Sequence, residues 1–209
     1  MTLHALLFDV DGTLADTERD GHRPAFNQAF ADAGLDWHWD VALYGKLALA
    51  ARGEIPMRPG VGRLLAEARA AGLRLAIATT TTPENVTALL EHSLDPDSPG
   101  WFEVIAAGDI VPDKKPAPDI YHYALEKMGL DPIDCLAFED SQNGLRASLG
   151  ADLKTLVTVN DYTLDHDFTG AAVVLSDLGE PGAPNRIVAG PDFGQPFVDV
   201  AYLRALHRG

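Results

Sequence analysis

Asp9-Val10-Asp11-Gly12-Thr13 closes an apolar run that begins at Leu3. Two carboxylates two residues apart, followed by a glycine able to take positive φ, can turn toward one pocket, where their mutual repulsion calls for a cation. A divalent metal meets that need; an ordinary Asp-Gly turn after a strand is the plainer alternative. A second run, Leu73 to Ala78, leads into Thr79-Thr80-Thr81-Thr82-Pro83. Hydroxyls and amides ahead of a helix start form a phosphate cradle, whereas a simple N-cap by Thr82 explains only one of the four threonines. Next comes Asp113-Lys114-Lys115-Pro116-Ala117-Pro118. Lys115, on a segment stiffened by proline, can neutralise a phosphoryl group or a carboxylate nucleophile, or it belongs to a solvated basic pair. Finally Cys135 to Phe138 delivers Glu139-Asp140-Ser141-Gln142-Asn143-Gly144. Adjacent acids there offer hard oxygen ligands suited to Mg²⁺, while Asp140 or Ser141 could equally cap a helix.

The elements that must position these groups follow from hydrophobic patterning. Strand-length apolar runs lie at Leu3–Val10, Leu73–Ala78, Phe102–Ala107, Cys135–Phe138, Thr155–Val159 and Ala172–Leu175. Several are continuous rather than alternating, as in strands covered on both faces. Between them apolar residues recur at helical spacing: Val61, Leu64, Leu65, Ala68; Val86, Leu89, Leu90; Ile120, Tyr123, Ala124, Met128. This order predicts an α/β fold, a doubly wound parallel sheet whose ligand sits beyond the carboxyl ends of the strands. All four chemical signals fall at such ends. Residues 15–58, 44 residues of mainly helical pattern, interrupt the sheet after its first strand and are expected to form a cap over a core of residues 1–14 and 59–209. Gly179 to Gly194 reads as an irregular loop and Val198 to His207 as a closing amphipathic helix.

Composition narrows the partners. With 16 basic against 31 acidic residues the net charge is −15, and Lys114-Lys115 is the longest basic run. Such a field repels nucleic acid and anionic membranes, so an anionic substrate must be met by a few placed cations, dipoles or a metal. No apolar run approaches the ~18 residues of a membrane span. The single cysteine, Cys135, suits a reducing compartment and an inert core thiol. A cytoplasmic protein with no secretory leader is expected, its oligomeric state open and a monomer included. His4, His92, His122, His166 and His207 show no metal-ligand spacing and are assigned no role.

Asp9-x-Asp11-Gly12-Thr13, Thr79, Lys115 before Pro116, and Glu139-Asp140 resemble, in order, the four motifs of the haloacid dehalogenase superfamily of phosphohydrolases, across Leu3 to about Asp152. Ala15-Asp16-Thr17-Glu18, His22-Arg23, Asp36-Trp37-His38-Trp39-Asp40, Arg58-Pro59-Gly60 and Lys115-Pro116-Ala117-Pro118-Asp119-Ile120-Tyr121 are similar to the CbbY-type sugar-phosphate phosphatases. Those enzymes act on xylulose-1,5-bisphosphate, and the β-phosphoglucomutases share their core motifs. The resemblance implies Asp9 as nucleophile, Asp11 as general acid and base, and Thr79 with the amides of Thr80 and Thr81 around the phosphoryl oxygens, with Lys115 offsetting their charge. It further implies Mg²⁺ held by the Asp9 carboxylate, the Asp11 carbonyl oxygen and Asp140, with Glu139 as an additional ligand or as a group hydrogen-bonded around the metal. Glu18, His22 and Asn143 join Thr80 and Thr81 as candidate contacts to a small sugar phosphate. Asp11 argues against a dehalogenase, which has no acid two residues beyond its nucleophile.

The cap departs from the CbbY-type pattern. A four-helix cap needs roughly 60 residues, and here Tyr44-Gly45-Lys46-Leu47 runs almost directly into Arg52-Gly53-Glu54-Ile55-Pro56, so the middle of the pattern is missing. A lid so reduced predicts weak substrate discrimination. Phosphoryl return to the sugar, as in a mutase, and a non-catalytic phosphate- or metal-binding remnant are the alternatives to hydrolysis.

Overall fold

The computed structural model describes residues 2–17, Gly34 and residues 55–209. Within them the chain builds one mostly parallel sheet from β1 (Ala5–Phe8), β2 (Arg74–Ala78), β3 (Val104–Ala106), β4 (Cys135–Glu139), β5 (Lys154–Thr158), β6 (Val173–Leu175) and β7 (Ile187–Ala189). Their spatial order is β3-β2-β1-β4-β5-β6-β7. Adjacent pairs from β3 to β6 are parallel, so the chain crosses over the sheet between them, and among the described residues five α-helices accompany it: α1 (Val61–Ala70), α2 (Pro83–Ser93), α3 (Asp119–Met128), α4 (Gln142–Gly150) and α5 (Val200–Arg208). The doubly wound α/β architecture expected from the apolar runs is the one observed.

Strand alternation separates two cores. Leu6, Phe8, Leu75, Ile77, Leu136 and Phe138 face α1, α2 and α5, with the Phe8 and Phe138 rings stacked 4.3 Å apart across the β1–β4 pair. The intervening residues Ala5, Leu7, Ala76, Ala78, Cys135 and Ala137 face the other way, against Ile120, Tyr121 and Ala124 of α3 and Ala147 of α4. Successive side chains point to opposite faces, so a both-sided burial requires apolar residues at every position. The predominance of alanine on the second face lets α3 and α4 lie close to the backbone of the sheet.

One element differs from expectation. Within the stretch read as an irregular loop, Ile187–Ala189 adds an antiparallel edge strand, pairing Ala189 with Val174 and Ile187 with Leu175. Three apolar residues are too few to show a period of two, and as an edge strand the segment buries little, Val188 being 46% exposed.

The chain ahead of residue 18 and the chain after residue 54 meet at one place. Ala15 bridges Met57 in antiparallel fashion, and the Arg58 amide donates to the Leu14 carbonyl at 2.8 Å. Most of the anticipated cap, including Glu18, His22, Trp37 and Trp39, lies outside the described residues. At the re-entry point the buried Arg58 guanidinium donates to the carbonyls of Gly12, Thr158, Val159 and Ser176 and to the Thr158 hydroxyl. It thereby joins the turn after β1 to the ends of β5 and β6. No helix among the described residues is long and apolar enough to cross a membrane.

Candidate active site

The β1–β4 register places Leu7 beside Ala137, and just beyond it the Asp9 amide donates to the Phe138 carbonyl at 3.0 Å. Counting by twos from Ala5 and Leu7, and from Cys135 and Ala137, puts Asp9 and Glu139 on the alanine-rich face. There Lys115, arriving from the loop before α3, places its Nζ 2.7 Å from Asp9 Oδ1, 2.7 Å from Glu139 Oε1 and 2.8 Å from the Ala78 carbonyl. The fully buried Tyr121 hydroxyl also donates to Glu139 Oε1, and the Lys115 ammonium lies 5.1 Å from the centre of the Tyr121 ring. A small-residue face makes room for this stack of lysine, tyrosine and carboxylates.

Burial dominates the electrostatics. It pushes the Asp9 carboxyl up to about 7; Lys115 opposes the rise, while Glu139 and Asp11 add to it. Asp140 is likewise held well above the ordinary carboxylate range by burial and by Asp9 and Glu139, against the opposing pull of Asn160 and Arg58. Burial works against the charge of Lys115, yet Asp9 and Glu139 outweigh it and hold the ammonium above the usual lysine range. Tyr121 is raised well above the phenol range, by burial first and then by Glu139 and Asp9, and so remains a donor.

Asp9, Glu139 and Asp140 each bring a carboxylate oxygen within 4.8 Å of the other two. Glu139 Oε2 is buried without a hydrogen-bond partner. Three acids packed this closely with one lysine are under-neutralised, and a hard divalent cation with oxygen ligands fits that donor set. Two glycines permit the packing. A Cβ on Gly12, whose φ is +86°, would fall 2.3 Å from Asp140 Oδ2, and a Cβ on Gly144 would fall 1.7 Å from Glu139 Oε2. Ser141 caps α4, its hydroxyl accepting from the Gly144 amide at 3.1 Å, and so resolves the choice between Asp140 and Ser141 as cap.

Asp11 stands beside this cluster rather than in it. One of its oxygens accepts from Thr17 Oγ1 at 2.7 Å and the other from Thr81 Oγ1. The Thr81 amide donates to Thr79 Oγ1 at 3.3 Å, and Thr79 is buried beneath. Thr82 occupies the N-cap position of α2 without a side-chain capping bond, so the threonine run is not explained by capping. An open cavity of about 390 Å³ gathers Asp9, Asp11, Thr80, Lys115, Asp140 and Asn143 on its wall. The structure thus brings together every core residue anticipated from the sequence, with Thr79 underneath and Glu18 and His22 outside the described residues.

Four contributors have no site role in the sequence reading: Arg58, Tyr121, Asn160 and His166. The apolar stripe read from the sequence takes Tyr123 rather than Tyr121, whereas in the structure Tyr121 is the fully buried ring and Tyr123 is only partly buried. Asn160 Nδ2 donates to Asp140 Oδ2 at 2.7 Å, and His166 Nδ1 accepts from the Gln142 amide at 3.2 Å. Both come from the loop after β5, where no spacing signals a site; only the position beyond a strand end could have marked them. Cys135 is a buried thiol pushed up to about 12 by burial, consistent with an inert core residue.

Comparison with known proteins agrees with this geometry. Residues 24–152 match the family model of haloacid dehalogenase-like hydrolases. A plasmid-encoded CbbY protein of Cupriavidus necator is 42% identical, covering 99% of this chain and 98% of its own. That alignment spans 250 positions against 209 residues here, so at least 41 positions of it have no counterpart in this chain. The crystal structure of CbbY from Rhodobacter sphaeroides with phosphate has a TM-score of 0.74 at 40% identity, covering 87% of this chain and 97% of that one. An Asp-to-Asn mutant of the same protein, in complex with xylulose-(1,5)bisphosphate, has a TM-score of 0.75, with the same identity and coverage.

Proposed function

Because the chain belongs to the haloacid dehalogenase-like hydrolases and is a CbbY-like phosphatase among them, we propose that it is a Mg²⁺-dependent hydrolase of small sugar phosphates, xylulose-1,5-bisphosphate included, acting through an aspartyl-phosphate on Asp9. The observation that carries this reading is the Lys115 ammonium held 2.7 Å from both Asp9 and Glu139, beside Asp140, at the carboxyl ends of β1 and β4. A carboxylate nucleophile so buried needs positive charge on more than one side to stay ionised at neutral pH.

In the first step an Asp9 carboxylate oxygen forms a bond to phosphorus as the bond from phosphorus to the sugar oxygen breaks. Asp11, oriented by Thr17 and Thr81, gives its proton to the departing oxygen, which leaves as a sugar hydroxyl. In the second step Asp11, now ionised, takes a proton from water as the water oxygen bonds to phosphorus. The Asp9–phosphorus bond breaks and inorganic phosphate leaves. Lys115 offsets negative charge throughout, and Thr80 and Asn143 line the cavity where phosphoryl oxygens would sit. Asp9, Glu139, Asp140 and the Asp11 carbonyl would hold Mg²⁺, whose charge when bound keeps Asp9 ionised and stabilises charge on the transferring group.

The cap is the second part of the reading. We assign residues 15–58 to it, with Glu18 and His22 as its candidate substrate contacts, and the 41 or more alignment positions that have no counterpart in this chain support a shortened cap by their number. A reduced lid excludes less water and contributes less remote binding energy, so substrates are held with high KM and modest selectivity. The test is Mg²⁺-dependent phosphate release from xylulose-1,5-bisphosphate, hexose phosphates and p-nitrophenyl phosphate, run beside Asp9→Asn. Turnover in the wild type and none in the variant is the expected result. Equal release by both proteins would refute the mechanism, and a preference of several orders of magnitude for one bisphosphate would refute the loss of selectivity.

A further inference from the structure

The loop that follows β5 is tied down at both ends of the site. Asn160 folds it: the Asn160 Oδ1 accepts from the Tyr162 amide at 2.9 Å, Thr163 Oγ1 accepts from the Asn160 amide at 3.0 Å, and the His166 amide closes a further turn onto the Thr163 carbonyl at 3.1 Å. The same asparagine donates to Asp140, and His166 Nδ1 takes the amide proton of Gln142, the first residue of α4. That amide is one of the orphan donors of a helix start, so the imidazole completes the capping that Ser141 begins. His166 also lines the cavity that holds Asp9, Asp11 and Lys115.

The hydrogen bond from Gln142 decides the tautomer. A ring nitrogen that accepts an amide proton carries none of its own, so a neutral imidazole must bear its proton on Nε2. Among the described residues Nε2 has no hydrogen-bond partner, on a side chain that is half-buried at the cavity wall. A rigid turn thus holds a single donor beside the phosphoryl site, in the manner of a preorganised contact. Asp165 and Asp167 are exposed on the same loop, Arg146 acting on the latter, so the charge there does not select a second anionic group and a single N–H suits a neutral oxygen.

Resting on the phosphatase reading above, we infer that His166 is a specificity-determining residue whose Nε2–H donates to a hydroxyl of the sugar leaving group. In a chain whose cap is shorter than its relative's, part of substrate recognition then comes from the core itself. The relevant ligands are phosphoesters of polyols, and an aryl phosphate has no hydroxyl to accept this bond.

The test compares wild type, His166→Asn and His166→Gln with xylulose-1,5-bisphosphate and p-nitrophenyl phosphate, and adds a thermal melt for each protein. Asparagine keeps an acceptor oxygen near the position of Nδ1 and so preserves the bond from Gln142, but it places no donor where Nε2 stood. His166→Asn is expected to melt with the wild type, to raise KM for the sugar phosphate about fivefold, as loss of one uncharged hydrogen bond predicts, and to lower the sugar-to-aryl ratio of kcat/KM by the same factor. Glutamine reaches the Nε2 position with an amide donor and restores at least part of that ratio. An unchanged ratio in His166→Asn, or a fall in melting temperature with equal losses on both substrates, would overturn the inference and leave the phosphatase reading intact. Wild-type protein that hydrolyses neither substrate in an Asp9-dependent way would overturn both.

Discussion

The two ends of the sheet carry ion pairs of similar length and opposite character. At the amino end Arg74, which opens β2, meets Glu103, just ahead of β3, at 2.5 Å with side chains 36% and 45% exposed. At the carboxyl end Lys115 meets Asp9 and Glu139 at 2.7 Å, with side chains 8%, 11% and 1% exposed. Water screens the first pair and makes it nearly dispensable. The second has lost its water, so each carboxylate depends on the few charges around it and responds when any of them changes. Proximity of opposite charges is therefore a poor guide to importance; the degree of desolvation is what turns an ion pair into a chemical instrument.

The largest effect expected from breaking the buried end comes through Gly144. Gly144→Ala drives a methyl into Glu139 Oε2, with an unrelaxed separation of 1.7 Å, and should cost about 1–3 kcal/mol of stability while shifting the Mg²⁺ dependence of turnover to higher concentration. Gly100→Ala is the control, since nothing lies within 4 Å of its Cβ. Chemical denaturation and a metal titration of activity read both variants. Stability equal to wild type in Gly144→Ala would show that the carboxylate is not confined as described.

A second prediction sharpens the comparison through pH. Asp9 is raised from 3.8 to about 7 in the metal-free protein, so between those values the folded state binds more protons than the unfolded one. Stability from this group is complete at acid pH and is lost as pH rises toward 7, at most about 1.4 kcal/mol per pH unit. Asp9→Asn removes the titration, so metal-free Asp9→Asn should gain stability relative to wild type between pH 5 and 8. A constant difference across that range contradicts the buried-acid description. At the exposed end the expected effect is smallest: Glu103→Gln should cost no more than about 1 kcal/mol, lose even that in high salt, and leave turnover alone.

The sequence makes the buried end legible to the extent that it depends on chain order. Asp9, Lys115, Glu139 and Asp140 each follow an apolar run at a strand end, and a parallel sheet collects such ends on one edge. Their contact distances depend instead on register and strand order, which place β4 rather than β2's other neighbour beside Glu139's partner Asp9. Tyr121 is not legible as a contributor because the apolar spacing of its helix points to Tyr123 instead, and only the alanines opposite show why the Tyr121 phenol reaches Glu139. Arg58 and His166 act through backbone carbonyls and an amide distant in sequence, and no local pattern encodes those partners. The edge strand Ile187–Ala189 lacks the length to show a period.

The most direct measurement is mass spectrometry of acid-quenched protein during turnover of xylulose-1,5-bisphosphate with Mg²⁺. A phosphoryl adduct on the peptide containing Asp9, absent from Asp9→Asn together with a loss of turnover of at least about a thousandfold, is the predicted result. Steady phosphate release by Asp9→Asn at a rate near that of the wild type, with no adduct on that peptide in either protein, would contradict Asp9 as the nucleophile.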